Sequence, residues 1–333
     1  MQTLSVTSHG RVQSMSDTYD SLVERSPQGS VFAAAWWLDA VAGASWRQNA
    51  VEDNGVTVAA WPTVVRASRW GAVHGGAPLT PFLGPLLSPR EDRKHPRTKE
   101  IKLIEALLET IGSYAHLEAR CHPAFDYWTP LRWHEFEQTT HYTWQFEAGV
   151  SIDTTAAGFR DNIRGDIRKA TKQGVQVGDA TLGEFLHVHA DTVERASVGP
   201  TADASREALK RIDQAATARG VRSILAARDE DGRIHAAGYF VRDSRAVYYL
   251  AGGSDHELRS SGATSLLLST AINDACQRGL GFDFEGSMLR PVERFFRAFG
   301  GTPAAYSIVR RTPSGGLRAE RALKRRVRTV VKR

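Results

Sequence analysis

Two cysteines and three methionines in 333 residues leave little sulfur chemistry to consider. Cys121 and Cys276 are too few for a disulfide framework and are not spaced as metal ligands, which fits a reducing compartment. Neither is expected to carry function. His187 and His189 have no third ligand nearby and fall on an expected helix, where positions i and i+2 diverge, so no metal is expected. No run reaches the roughly 18 apolar residues of a membrane span, and the first seventeen residues lack a hydrophobic leader segment. The reading is cytoplasmic. Sustained heptads are missing, and so are the Gly-x-Ser-x-Gly elbow, the Gly-Lys-Ser/Thr phosphate loop and the Gly-x-Gly-x-x-Gly fingerprint. Those absences set aside elbow-type serine hydrolases, P-loop NTPases and Rossmann dehydrogenases.

What is present fits a globular protein of two domains, since 333 residues exceed one ordinary domain. Hydrophobic residues at 41%, with eight tryptophans, are enough for two cores. The net charge of +6 suggests a polyanion partner until it is located along the chain. Residues 318 to 333 hold eight Lys and Arg against Glu320 alone, so the rest of the chain is close to neutral. Leu323, Val327, Val330 and Val331 recur at helical spacing, so this tail reads as an amphipathic helix docking by its apolar stripe. Its outward arginines are either a solvated face or a contact for tRNA phosphates or the inner face of an anionic membrane.

Residues 1 to 17 are expected to be disordered, and a first domain runs from 18 to 150. It opens with a helix over Ser30 to Val41 carrying Trp36 and Trp37, read as core or as the lining of an acceptor groove. A β-rich run over Val56 to Val65 precedes Gly75 to Pro85, whose glycines and prolines forbid regular structure. Pro81 and Phe82 are the acceptor candidates in that loop. Lys99 to Tyr114 has the 3.6-residue apolar period of a helix, and Ala115 to Cys121 and Tyr142 to Val150 read as strands.

The second domain, 151 to 312, opens with a basic helix in which Arg160, Arg164, Arg168 and Lys172 recur every fourth residue. Such a row repels itself unless Asp161 and Asp166 or an external anion neutralise it. Helices over 182 to 195 and 205 to 219 follow. From Val221 to Arg311 the order is three strands, a Gly-bearing loop, a helix over Ala263 to Arg278, a strand over Phe282 to Ser287, a short helix near Val292 to Gly301 and a last strand. Residues 313 to 333 form the tail.

Arg259-Ser-Ser-Gly262-Ala263, just before that helix, resembles the pyrophosphate loop of the GNAT superfamily of N-acetyltransferases, with Thr264 where the pattern wants Gly or Ala. Ser30-Val-Phe with Trp36-Trp37-Leu38, the basic Asn162 to Val175 segment, and Phe282-Asp-Phe-Glu-Gly-Ser287 with Phe295-Phe-x-x-Phe-Gly-Gly301 resemble the Fem-type (FemABX-like) subgroup over nearly the whole chain. The resemblance implies an α/β fold (α+β mixed sheets) of two tandem GNAT-like domains, each a mixed, mostly antiparallel sheet flanked by helices. It also implies an acyltransferase moving an acyl or aminoacyl group from acyl-CoA or aminoacyl-tRNA to an amine of an envelope precursor, polysaccharide or small metabolite, in a cleft between the domains. The donor is a co-substrate, with no tightly bound cofactor. A silent GNAT-fold protein binding RNA or anionic membrane through its tail is the other reading.

Direct attack by an amine needs a base, an oxyanion site and cations for the carrier. Asp283 and Glu285, expected on one face of one strand, are the candidate base, or else carboxylates paired with Arg290 or Arg294. Tyr248 and Tyr249 face opposite ways, so one reaches the site, and Tyr249 is the catalytic candidate. Backbone N–H groups from Leu250 to Gly253, with Gly252 permitting close approach, suit the oxyanion. Arg164, Arg168, Lys172, Arg259, Gly262 and Ala263 are assigned to the donor, and Arg290 to the acceptor.

Overall fold

The computed structural model describes the backbone of residues 5–7, 13–90, 96–196 and 200–331, and the side chains of 18–90, 97–190 and 205–324. The chain divides into one unit of residues 1–141 with 306–333 and a second of residues 142–305. These limits differ from the expected 150 and 312. A strand's partner can come from any distance in sequence, so local pattern does not reveal which sheet claims each strand end.

The first unit runs β1 (Ser5–Thr7), α1 (Gln13–Arg25), a 3₁₀ turn, α2 (Ala35–Ala42), β2 (Trp46–Arg47), β3 (Ala50–Asp53), β4 (Val56–Ala60), β5 (Thr63–Ser68), β6 (Gly71–Gly75), β7 (Leu86–Leu87), α3 (Pro96–Ile111), β8 (His116–Arg120), α4 (Thr129–Trp133) and the first half of β9 (Glu137–Phe146). Strands β1, β3, β4 and β7 form one antiparallel sheet. Hence the first seventeen residues are not wholly irregular: Ser5 to Thr7 pair with the open edge of β3. The expected single helix over 30 to 41 is broken at Ala34, whose ψ of 140° is not helical. The loop after β6 is a packed corner. A Cβ on Gly84 would lie 2.9 Å from the Cα of Cys121, and Leu83 N–H donates to the Arg120 carbonyl.

The second unit runs α5 (Ile152–Gly158), α6 (Asp161–Lys172), β10 (Gln176–Asp179), α7 (Leu182–Ala196), α8 (Pro200–Ala218), β11 (Arg222–Arg228), β12 (Ile234–Arg242), β13 (Ala246–Ser254), α9 (Ala263–Gln277), β14 (Gly281–Asp283), α10 (Arg290–Arg297) and the start of β15 (Thr302–Arg311). Strands β10 to β13 pair antiparallel in sequence order, β14 joins β13 in parallel, and the end of β9 pairs antiparallel with β14. This is a mixed, mostly antiparallel sheet. Its core gathers Leu267, Leu268, Ala271, Ile272 and Ala275 along one stripe of α9 against Phe240, Phe282, Phe284, Phe296 and Phe299. Burying each large side chain contributes roughly 1.5–3 kcal/mol, which fixes α9 and α10 on the sheet.

The rest of β15 returns to the first unit and pairs with β8, and α11 (Gly315–Val331) follows. Glu320 anchors α11 by accepting from Trp70 Nε1 and Arg69, each at 2.8 Å, while the Trp70 ring fills the space a Cβ on Gly316 would need. The expected apolar stripe does not dock at its first member, because Leu323 is 64% exposed and Leu317 is buried instead. Val327, Val330 and Val331 lie outside the described side chains.

Candidate active site

Strands β13 and β14 run parallel only as far as the pair Tyr248 and Asp283, and then part. The next six residues of β13 have no partner on that side, since β14 ends at Asp283 while β13 continues to Ser254. On its other side β13 is bulged: Tyr239 pairs with Ala251 and Phe240 with Tyr249, so Leu250 is the extra residue. The carboxyl ends of parallel strands that part are where a crevice forms in an open sheet. Both Leu250 and Glu285 fall just past this fork.

Asp283 is 2% exposed and fully engaged. Its Oδ1 accepts from Thr143 Oγ1 at 2.5 Å and from the Glu285 N–H at 2.7 Å, and its Oδ2 accepts from Gln145 Nε2 at 2.6 Å. Burial raises its pKa, and the three donors pull the other way. It therefore staples β14 to β9 and holds the next turn. The expectation of two acids alternating along one strand is corrected here. Asp283 ends the strand, whereas Glu285 and Gly286 adopt left-handed conformations with φ of 57° and 61°.

Glu285 is the odd residue of the site. A glutamate in the left-handed region is uncommon and costs free energy, so the surrounding fold must impose it. Its Oε1 is shut off from solvent and has no hydrogen-bond partner. Loss of hydration, and then the charge of Asp283, push its pKa well above the ordinary glutamate value. Neither acid pairs with Arg290 or Arg294, which are exposed at α10. Gly286 makes the turn possible, because a Cβ there would lie 2.3 Å from the Tyr142 carbonyl oxygen. Gly286→Ala is expected to destabilise the protein by about 2 kcal/mol or more, read by denaturant titration, from left-handed strain plus this clash.

The tyrosines do face opposite ways. Tyr248 is buried beside the acids: its hydroxyl donates to Asp243 at 2.9 Å, and burial and then the charges of Asp243, Asp283 and Glu285 hold its pKa well up. Tyr249 packs on Phe240 and Phe296, and its hydroxyl makes no hydrogen bond among the described residues. Burial pushes it up to about 12. The close approach expected at Gly252 and Gly253 is taken up by the protein itself. A Cβ on Gly252 would lie 1.6 Å from the Tyr249 hydroxyl, and one on Gly253 would lie 2.7 Å from the Val188 carbonyl oxygen of α7. That leaves the bulge at Leu250 as the backbone feature at the fork.

The loop before α9 is equally filled. Gly262, left-handed at φ 84°, caps the helix, and a Cβ on it would lie 2.3 Å from the Asp166 carbonyl oxygen of α6. The Asp166 carboxylate accepts from Ser265 Oγ at 3.0 Å in the first turn of α9, and Lys169 donates to the Ser260 carbonyl at 2.5 Å. Thus Gly262 and Ala263 are buried against α6, with a carboxylate where a helix N-terminus attracts anions. The residues there do not fit a pyrophosphate. Arg164 pairs with Asp161 at 2.7 Å. Arg168, Lys172 and Arg259 are exposed and make no ion pair among the described residues.

In the first unit, Trp37 is wholly buried, its ring edge-on to Phe32 at 5.1 Å and its Nε1 donating to Thr80 Oγ1 at 3.0 Å. It is core, with no surface for an acceptor. Phe82 is likewise buried, edge-on to Tyr306 and His122. Trp36 and Pro81 are half-buried. His189 spends its Nδ1 on the Gly252 carbonyl, and no metal cluster occurs among the described residues. Thr143 and Gln145 escaped the sequence reading, which named Tyr248 only as the alternative to Tyr249 and Asp166 only as a neutralising partner on the basic helix. The alternation Thr143-Trp144-Gln145-Phe146, with its polar face aimed inward, was the available signal for the first two.

Residues 157–297 match the acetyltransferase (GNAT) domain family. FemX superposes with a TM-score of 0.67 at 12% identity, covering 90% of this chain and 96% of its own. A tandem GNAT protein from the clavulanic acid biosynthesis pathway gives 0.53 at 11% identity, over 92% and 98%. The C-terminal domain of a putative lysylphosphatidylglycerol synthetase from Agrobacterium fabrum gives 0.51 at 10% identity, over 88% and 91%. No curated protein sequence matches the chain. The likeness extends beyond residues 157–297 to most of the chain.

Proposed function

We propose that this chain, a transferase with a Fem-like tandem GNAT fold, moves an aminoacyl or acyl group from an activated ester to an acceptor amine at the fork between β13 and β14, with Glu285 as general base. The observation that carries the reading is Glu285, whose Oε1 is shielded from solvent and unpartnered and whose backbone is held in a left-handed turn, within the stretch that matches the GNAT domain family. A raised pKa brings a carboxyl toward the working pH, where it can take a proton from the acceptor amine as that amine attacks. The amine attacks the ester carbonyl, and the bulge at Leu250 offers backbone N–H to the oxyanion. The proton that Glu285 takes from the amine passes to the departing alkoxide, so each transfer leaves the carboxylate as it began.

The Asp166 carboxylate of α6, seated at the first turn of α9, disfavours the pyrophosphate of coenzyme A there, which favours an aminoacyl ester on tRNA as donor. Arg168 and Lys172, one helical turn apart on α6, with Arg259 beside that helix, are exposed cations for its phosphates. The neighbouring FemX and lysylphosphatidylglycerol synthetase folds make an envelope precursor the acceptor class of choice. A donor assay with radiolabelled aminoacyl-tRNA against acyl-CoA tests this. Arg168→Glu with Lys172→Glu should weaken tRNA binding and flatten its log–log salt dependence by about two. Turnover with acyl-CoA but not with aminoacyl-tRNA would overturn the donor assignment.

A further inference from the structure

Among the described residues of the second unit, three large hydrophobic side chains are exposed: Tyr142 at 48%, Met288 at 58% and Leu289 at 68%. They share one place. Met288 and Leu289 lie one residue beyond the Glu285–Gly286 turn, and that turn lies against the Tyr142 carbonyl. Single exposed hydrophobics need no explanation, but all of one unit's gathered at one lip do. The cations next to them have a matching peculiarity. Arg290 and Arg294, at i and i+4 on α10, share one face, are exposed and make no ion pair among the described residues, whereas Arg297 pairs with Glu293 at 3.1 Å.

We propose that this lip is a contact for an anionic bilayer surface, in which Tyr142, Met288 and Leu289 enter the headgroup boundary while Arg290 and Arg294 meet lipid phosphates. An apolar tip beside unpaired arginines is the composition of an interfacial anchor. A water-soluble peptide partner would account for the apolar pair but not for two arginines without acids. The arrangement places the Glu285 carboxyl next to the membrane surface. The membrane contact itself does not rest on the catalytic reading of Glu285.

The test is flotation of the full chain with vesicles of phosphatidylcholine alone or mixed with phosphatidylglycerol, at low and high salt. Binding to the anionic vesicles, weakened by salt, is expected. Met288→Ser with Leu289→Ser, at largely exposed positions, should lower the partition coefficient by about ten-fold or more with an unchanged thermal midpoint. Arg290→Gln with Arg294→Gln should abolish the preference for anionic over neutral vesicles. Equal binding by the serine variant, or binding lost only when residues 318–333 are deleted, would overturn the proposal by assigning the contact to α11. Absence of binding to either vesicle would also overturn it. Glu285→Gln should bind vesicles like the unaltered chain, so failure of the catalytic reading leaves this result standing.

Discussion

Glu285→Gln is expected to lower kcat by about 10²-fold or more, the usual contribution of a positioned general base. It should leave the thermal midpoint at neutral pH unchanged or higher. One carboxylate oxygen, Oε1, is shielded from water and has no partner, so ionising the group in the folded state is costly, and a neutral amide of the same shape removes that cost. The sign follows from the direction of the shift. Because the folded pKa is raised, the stability contributed by the protonated carboxyl is fully present below the ordinary glutamate value and is lost as pH rises through the raised one. Activity runs oppositely, increasing over that window as the base is freed. The glutamine variant should lose both dependences. Near-normal turnover with an unaltered pH profile would remove Glu285 from the chemistry.

Asp283→Ala should be the most destabilising single change at the site, costing about 3–5 kcal/mol by denaturant titration. It leaves the Thr143 hydroxyl, the Gln145 amide and the Glu285 N–H without their shared acceptor in a buried place. Asp283→Asn is different in kind. Its Oδ1 can keep the bonds from Thr143 and from the Glu285 N–H, and Gln145 can rotate its amide to accept from the new Nδ2. Most of the stability should return. Because the charge of Asp283 helps to raise the pKa of Glu285, the asparagine variant should work with its acid limb moved to lower pH. That split, structure restored and the pH profile shifted, distinguishes a positioning residue from the base itself.

Much of the second unit could be read from residues alone, because its elements are long and locally consistent. Strand β13 covers the expected Ala246 to Ser254, and α9 runs from Ala263 to Gln277 against an expected end at Arg278. Periodicity and glycine placement are local properties, and these elements obey them. The stretch after Phe282 did not, since alternation of Asp283 and Glu285 suggested one strand face. Nothing in that pattern records that Thr143 and Gln145, about 140 residues earlier in the chain, would draw Asp283 inward and end the strand. Likewise, Arg259 to Ala263 has the composition of an anion loop, and only the docking of α6 shows a carboxylate already there.

The sequence by itself determined the main elements of the second unit, the concentration of charge in the tail and the two acids worth suspecting, because each depends on neighbours a few residues apart. The fold class and tandem organisation came from the family resemblance of its motifs. The tertiary structure decided which acid is free and which is spent, which tyrosine stands beside them, and that Trp37 belongs to the core. Those properties depend on what distant segments bring within about 3 Å, and hydrogen bonding and desolvation act only at that range.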